Sequence, residues 1–223
     1  MGGLKLVDHA LAQHKLSLMR DVNCNPTRFR RIMKQASWIM CSEMTRGIEL
    51  EERTITTPNG VETQGRFRDL KGVVIMPILR GGLVMGEAFA EMMPAVRIGH
   101  IGIYRDEDDI HQCYMLSLPA ASEDTEFILL DPVASRGRTL AKAVSELVSE
   151  GVKPSKISIC TLVISEPGVE EFYKNEAHKD VNIFAIAKDP MLNDDLYVLP
   201  GLGNVSARLF RSEDQEMSQM GGD

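Results

Sequence analysis

From residue 72 onward, short apolar runs alternate with stretches that carry apolar residues at helical spacing. The runs are GVVIMPIL, RIGHIGIY, EFILLD, KISICTLV and DVNIFAIA, and the helical stretches are 82–93, 137–150 and 167–176. Runs that are apolar throughout are typical of strands covered on both faces. The pattern predicts an α/β fold, an open and mainly parallel sheet flanked by helices, with ligand sites at the carboxyl ends of the strands.

Two other patterns come before residue 72. The segment NPTRFRRIMKQASWIMCSEMTRG has Asn25 as an N-cap, Pro26 in the first turn, an apolar face and Gly47 as a stop, which predicts an N-terminal amphipathic helix over 27–46. The segment LEERTITTPNGVETQGRF alternates around a Pro-Asn-Gly turn. It predicts a protruding β-hairpin arm at about 49–69.

We predict one domain over residues 1–211, because no linker or internal repeat interrupts the pattern. The polar segment SEDQEMSQMGGD, residues 212–223, is predicted to be a disordered tail. Amphipathic helices and protruding hairpins often form subunit contacts, so helix 27–46 and the hairpin arm are candidates for such contacts.

The composition limits the kinds of partner. A net charge of -7 and a pI near 5.3 disfavour an electrostatic grip on nucleic acid, so a bound anion would need a local site. No apolar window approaches the roughly 18 residues of a membrane span, and no signal-peptide pattern opens the chain, so the expected location is the cytoplasm. The four cysteines form no CxxC pair and are interpreted as thiols rather than zinc ligands or disulfides.

The stretch FILLDPVASRGRTLAKAV predicts an anion site. Asp131 ends an apolar strand, and a short polar turn leads to a helix that begins near Thr139. Backbone N–H groups and the positive end of a helix dipole then point at one spot. No Walker A motif or GxGxxG motif exists in the chain, which argues against a P-loop nucleotidase or a nicotinamide enzyme.

Two more loops follow strands of the same sheet. MPILRGGLVMGEA places Arg80 and Gly81 at one strand end, and GIYRDEDDIHQCYMLSLP places Arg105 at another, before an acidic loop interpreted as solvated and mobile rather than metal-binding. A tight turn with a solvated arginine remains the alternative for Arg80. Together the loops suit a ligand with two separated phosphate groups and hydroxyls between them.

These segments resemble the uracil phosphoribosyltransferases, members of the type I phosphoribosyltransferases. The resemblance runs from HALAQHKLSLMRD through MPILRGGLVMG, GIYRDE and LLDPVASRGRT to LYVLPGLGNVSARLF. It implies transfer of a ribosyl 5-phosphate from phosphoribosyl pyrophosphate to N1 of uracil, giving UMP and pyrophosphate, with Mg2+ carried by the donor. It also implies a homodimer or a higher homo-oligomer, and it leaves open a nucleotide effector.

The resemblance also implies roles for individual residues. Asp131 would hold the ribose hydroxyls, and Arg80 and Arg105 would face the pyrophosphate. Gly81 would allow close approach of the ligand. The 5-phosphate cradle would consist of Ala134, Ser135, Arg136, Gly137, Arg138 and Thr139. The uracil pocket would lie within 197–205, with Tyr197, Leu199, Gly201, Gly203, Asn204 and Val205. The scattered histidines are interpreted as structural or surface residues.

The chain departs from the family pattern at three functional places, the phosphate loop, the base pocket and Ser117, and also in the tail. The family loop DPMLATGGS is DPVASRGRT here, PGLGDAGDR is PGLGNVSAR, and FGT is FRS. The residues that differ include Arg136, Arg138, Asn204, Ser206 and Ala207, and Ser117 stands where lysine is common. An arginine at 138 would cost about 1 kcal/mol relative to glycine if its φ were positive. Two alternatives therefore stay open: a related enzyme with a different acceptor, and a paralogue that binds a nucleotide or the donor and regulates a partner.

Overall fold

The computed structural model describes residues 2–106 and 110–210. The helices are α1 (Ala10–Arg20), α2 (Pro26–Met44), α3 (Leu83–Met92), α4 (Arg138–Ser149), α5 (Glu166–Tyr173) and α6 (Val205–Phe210). The strands are β1 (Leu4–Leu6), β2 (Glu51–Thr56), β3 (Glu62–Phe67), β4 (Val73–Leu79), β5 (Arg97–Ile98), β6 (His100–Arg105), β7 (His111–Ser117), β8 (Glu126–Leu130), β9 (Val133–Ala134), β10 (Ile157–Ser165), β11 (Asn182–Asp189), β12 (Met191–Leu192) and β13 (Val198–Leu199).

The predicted open sheet is confirmed. Within the described residues, nine strands form one sheet in the order β1-β11-β10-β8-β4-β6-β7, with β5 beside β4 and β9 beside β10. Every pairing in it is parallel except that of β6 with β7. After β4 the chain crosses to β6 on one side, and β8 returns to the other side of β4. The strand order therefore reverses at the carboxyl ends of β4 and β8, where α/β sheets bind ligands.

Helices cover both faces of the sheet and bury two apolar clusters. One cluster joins α1, α2 and α3 to the sheet and includes Phe29 and Phe89. The other joins α4 and α5 to the opposite face and includes Leu140 and Phe172. Because both faces are covered, six of the seven residues of β4 are buried, which explains its uninterrupted apolar sequence.

The predicted N-terminal helix corresponds to α2. The Asn25 side chain accepts a hydrogen bond of 2.9 Å from the backbone N–H of Arg28, and Pro26 is the first helical residue. The helix ends at Met44, and Thr45 is its C-cap, so it stops before Gly47. The N-cap interaction and the fixed φ of proline explain the clear start.

The predicted hairpin arm corresponds to β2 and β3, which pair antiparallel from Glu51–Phe67 to Thr56–Glu62. Nearly all of its residues are exposed, and it forms its own two-stranded sheet. In the segment after Arg105, residues 111–117 form β7 beside β6, a strand that was not predicted. The acids at 107–109 of the expected mobile loop lie outside the described residues. No described helix is both long and apolar enough to cross a membrane.

Candidate active site

A cavity of about 450 Å³ opens at the carboxyl ends of β4, β6 and β8. The three loops identified from the sequence and the segment 195–206 form its wall. The cavity is lined by Arg80, Gly81, Arg105, Asp131, Ala134, Ser135, Arg136, Gly137, Arg138, Thr139, Tyr197, Gly203, Asn204 and Val205. Leu199 and Gly201 do not line it. The structure thus brings together all but two of the residues for which the resemblance implies a role in binding or catalysis.

Asp131 lies at the centre of this wall, directly after β8. Its backbone N–H donates to the carbonyl oxygen of Cys160 at 3.2 Å, which fixes its position at the edge of the sheet. Burial raises the pKa of the Asp131 carboxyl from 3.8 to about 7, and a hydrogen bond from the Val133 backbone opposes this rise. The Asp131 carboxyl therefore keeps its proton to a higher pH than an exposed aspartate does.

The turn after Asp131 has its left-handed residue at Gly137. Gly137 has a φ of +69° and caps α4, and a Cβ there would lie 2.7 Å from the carbonyl oxygen of Gly168. Arg138 is the first residue of α4 and is not among the positive-φ residues. The arginine therefore carries no left-handed strain, and residues 136–139 at the start of α4 all line the cavity.

A serine that the sequence did not single out braces this turn. The Ser165 hydroxyl donates to the carbonyl oxygen of Ser135 at 2.6 Å and accepts from the Gly168 N–H at 2.8 Å. It therefore caps α5 and joins that helix to the turn. The Ser135 hydroxyl in turn donates to the carbonyl oxygen of Leu196, on the other wall of the cavity. Ser165 is fully buried, so this contact is shielded from water.

Four arginines line the described part of the cavity wall. The Arg80 guanidinium lies 5.7 Å from the ring centre of Phe210, and the peptide bond before it is cis. The pKa of Glu171 on α5 is lowered, chiefly by the hydrogen bond from Lys174, and the charges of Arg138 and Arg136 lower it further. Arginine side chains thus line the same cavity as Asp131, and two of them lie close enough to α5 to act on Glu171.

The segment after β13 forms the opposite wall. The Asn204 side chain accepts from the backbone N–H of Ala207 at 3.0 Å, so it caps α6. Ala207 is fully buried. Ser117 pairs with His100, whereas Arg105 pairs with His111, so Ser117 lies at the far end of the β6–β7 pair and does not line the cavity.

Sequence reasoning missed several cavity residues. They are Ile103, His111, Asp195 and Leu196. His111 was interpreted as structural or surface, but its pairing with Arg105 across β6 and β7 brings it to the cavity. The sequence NDDL, residues 193–196, is typical of a turn. No sequence signal indicated that Asp195 and Leu196 in this turn line a cavity.

Comparison with solved structures places the fold in a known class. The AQ2163 protein from Aquifex aeolicus superposes with a TM-score of 0.85 at 27% identity, over 93% of this chain and 97% of that chain. An adenine phosphoribosyl transferase from Trypanosoma brucei shares the fold at a TM-score of 0.50 and 11% identity, over 73% of this chain and 68% of that chain. The fold is that of the type I phosphoribosyltransferases.

Comparison of sequences is more specific. A uracil phosphoribosyltransferase of Pediococcus pentosaceus is 40% identical over 94% of this chain and 99% of its own length. One of Dictyoglomus thermophilum is 39% identical over 92% of this chain and 97% of its own length. A family model described as uracil phosphoribosyltransferase matches residues 6–212. The chain belongs to the uracil phosphoribosyltransferase family.

Proposed function

We propose that the protein transfers the 5-phosphoribosyl group of phosphoribosyl pyrophosphate to N1 of uracil, giving UMP and pyrophosphate. The observation that carries this proposal is the arrangement of one cavity in a chain of this family. A carboxyl group at a strand end lines the same cavity as a helix-start turn and four arginines, two of which belong to that turn. This suits a sugar that carries a phosphate at one end and a diphosphate at the other.

The donor would lie across the wall formed by three strand ends. The turn 134–139 would accept the 5-phosphate, because its N–H groups and the start of α4 favour an anion. The Asp131 carboxylate would accept hydrogen bonds from the two ribose hydroxyls, since an ionised carboxylate has only acceptor sites. Arg80 and Arg105 would lie near the diphosphate, where guanidinium groups match oxygen pairs.

The reaction breaks the bond between ribose C1 and the pyrophosphate oxygen and forms a bond between C1 and N1 of uracil, while the N1 proton leaves. Positive charge develops on the sugar ring, and negative charge develops on the departing diphosphate. Fixed arginine charges beside the diphosphate would stabilise the negative charge that develops on it. Alignment of C1 and N1 supplies the rest, so no side-chain nucleophile is needed.

Mg2+ is usually held by substrate phosphates and only one or two protein carboxylates, so a site with the carboxyl of Asp131 suits an ion that arrives with the donor. Within the described residues, no group of three or more His, Cys, Asp or Glu side chains is placed to hold a metal ion. Asp131 would hold the ribose hydroxyls that share the ion with the diphosphate. When bound, Mg2+ would add positive charge at the leaving group.

Uracil would occupy the wall formed by 197–206. The described part of this wall offers main-chain groups near Gly203 and the ring of Tyr197, whose side chain is exposed. A planar ring can stack on an aromatic face while main-chain donors and acceptors read its edge. The acceptor would thus be recognised mainly by peptide groups rather than by charged side chains.

A homodimer through the hairpin arm belongs to the same proposal. An isolated two-stranded hairpin is marginally stable in water, and this one exposes Ile55, Val61 and Phe67. A second copy of the chain would cover these side chains. Light scattering of the wild type should give twice the chain mass, whereas Ile55→Glu should give a smaller species; an unchanged mass for the variant would exclude this contact.

The function is tested by following UMP formation from labelled uracil with the donor and Mg2+. We expect turnover by the wild type and a loss of about 100-fold in kcat/KM for Asp131→Asn, because the sugar loses its anchor. Asp124→Asn is the control, since the Asp124 side chain is 98% exposed and lies away from the cavity. Donor binding in calorimetry without UMP formation would show that uracil is not the acceptor. Equal rates for Asp131→Asn and the wild type would refute the assignment of Asp131.

A further inference from the structure

A buried ion pair outside the cavity holds the turn that leads into the uracil wall. Arg20 is the last residue of α1, and Asp189 is the last residue of β11. The Arg20 Nη1 and Nη2 atoms donate to Asp189 Oδ2 and Oδ1, both at 2.7 Å. Asp189 is only 4% exposed. This is the two-point geometry in which a guanidinium fixes the plane of a carboxylate.

The ion pair also engages both main-chain groups of Gly201. The Gly201 N–H donates to Asp189 Oδ2 at 2.9 Å, and its carbonyl oxygen accepts from Arg20 Nη1 at 3.0 Å. Gly201 has a φ of +57°, and a Cβ there would lie 1.9 Å from the carbonyl oxygen of Val198. The backbone at this point is therefore held in a left-handed conformation that a side chain would disrupt.

A second arginine fixes the next peptide group. Arg208 Nη1 donates to the carbonyl oxygen of Leu202 at 2.9 Å and to that of Met19 at 2.7 Å. Its guanidinium lies 4.0 Å from the ring centre of Phe29. The carbonyl groups of Gly201 and Leu202 are thus both tied to the carboxyl end of α1. Neither carbonyl is left to rotate toward a ligand.

We propose that Arg20 and Asp189 are positioning residues that determine affinity for the acceptor base without touching it. This inference rests on the proposed function. A pocket that recognises its ligand by peptide groups cannot adjust by changing side-chain rotamers, so its affinity depends on how firmly the peptide planes are held. The donor wall is held by different residues, Ser165 and the turn around Gly137. It meets the acceptor wall through the Ser135–Leu196 hydrogen bond, in which neither Arg20 nor Asp189 takes part. Loosening the ion pair should therefore weaken uracil binding and leave donor binding intact.

The test uses the paired variant Arg20→Met with Asp189→Asn. Removing only one partner would leave a buried unpaired charge, which destabilises proteins strongly, whereas the paired variant is neutral and keeps an acceptor for the Gly201 N–H. Arg20→Lys keeps the charge but not the two-point contact. The matched control is Arg68→Met with Glu126→Gln, which removes an arginine–glutamate pair of 2.8 Å that lies outside the cavity.

We expect the paired variant to raise the KM for uracil at least tenfold while the donor Kd from calorimetry changes less than twofold. Arg20→Lys should fall between it and the wild type, and the control pair should change neither constant. Amide hydrogen exchange at Gly201 and Leu202 should speed up at least tenfold in the paired variant. This readout does not need turnover.

Three outcomes would overturn the inference. The first is an unchanged KM for uracil in a paired variant that unfolds at the wild-type temperature. The second is an equal loss of affinity for uracil and for the donor. The third is an unchanged rate of amide hydrogen exchange at 201–202. If the wild type forms no UMP, the proposed function fails, and the exchange rates still decide whether the ion pair holds the turn.

Discussion

Asp131 should make the stability of the free protein fall as pH rises, the opposite of what most acids do. Burial raises its pKa from 3.8 to about 7, while in the unfolded chain the group ionises near its ordinary value. Between about pH 4 and pH 7 the native state therefore keeps a proton that the unfolded state has lost. The contribution of Asp131 to the free energy of unfolding therefore decreases with pH across this window and levels off above it.

The magnitude follows from the two pKa values. One pKa unit corresponds to about 1.4 kcal/mol, so the rise from 3.8 to about 7 corresponds to about 4 kcal/mol once the group is fully ionised in both states. Asp131→Asn removes the titration and keeps the shape of the protonated acid. The variant should be more stable than the wild type by about 2 kcal/mol at pH 5 and by about 4 kcal/mol at pH 8.

The assay is urea unfolding of both proteins at about pH 5, 6.5 and 8, with the slopes compared to confirm that the unfolded states are alike. Asp124→Asn controls for the loss of an exposed carboxylate. A stability difference that stays constant or shrinks with rising pH would refute the reasoning, because the native carboxyl would then ionise near its ordinary pKa. The same variant should lose UMP formation, so that stability and activity change in opposite directions.

Three further substitutions probe the phosphate turn. Gly137→Ala places a Cβ 2.7 Å from the Gly168 carbonyl oxygen at a φ of +69°. The free energy of unfolding in urea should therefore fall by about 2 kcal/mol, and calorimetry should show weaker donor binding. Unchanged donor binding would contradict the turn geometry. Arg136→Thr should weaken donor binding about tenfold at low salt and less at about 0.5 M salt, whereas tighter binding would mean that the guanidinium crowds the phosphate. Ser165→Ala removes the bond to Ser135 and the cap of α5, and urea unfolding should show a loss of about 1–2 kcal/mol; no loss would show that the brace is not stabilising.

The central strands could be predicted because a strand that is buried on both faces has apolar residues at consecutive positions. β4, β8, β10 and β11 are covered on both faces, and each reads as an apolar run. β7 could not, because its seven residues lie in a sequence that mixes polar and apolar side chains and follows four acids. The helix α1 had a usable signal that was overlooked, since its buried residues Ala12, Leu16 and Met19 have helical spacing.

The candidate site divides in the same way. Residues at strand ends, such as Asp131 and Arg80, could be predicted because parallel strands bring their carboxyl ends to one edge. Arg20 could not, because its partner Asp189 is 169 residues away and is chosen by the packing of α1 against β11. Ser165 was hidden for a similar reason, since its bond to Ser135 spans 30 residues. Local patterns thus indicate what touches a ligand more readily than what holds those groups in place.

The attraction that the arginines of the cavity wall exert on an anion acts only over a short distance. The chain carries a net charge of -7, yet Arg80, Arg105, Arg136 and Arg138 lie on the wall of one recess of about 450 Å³. Beyond about 8 Å in physiological salt each charge is largely screened, so the arginines attract an anion only once it is close to this wall. A sugar phosphate fits within that distance, whereas the negative net charge of the chain offers a longer polyanion no further attraction.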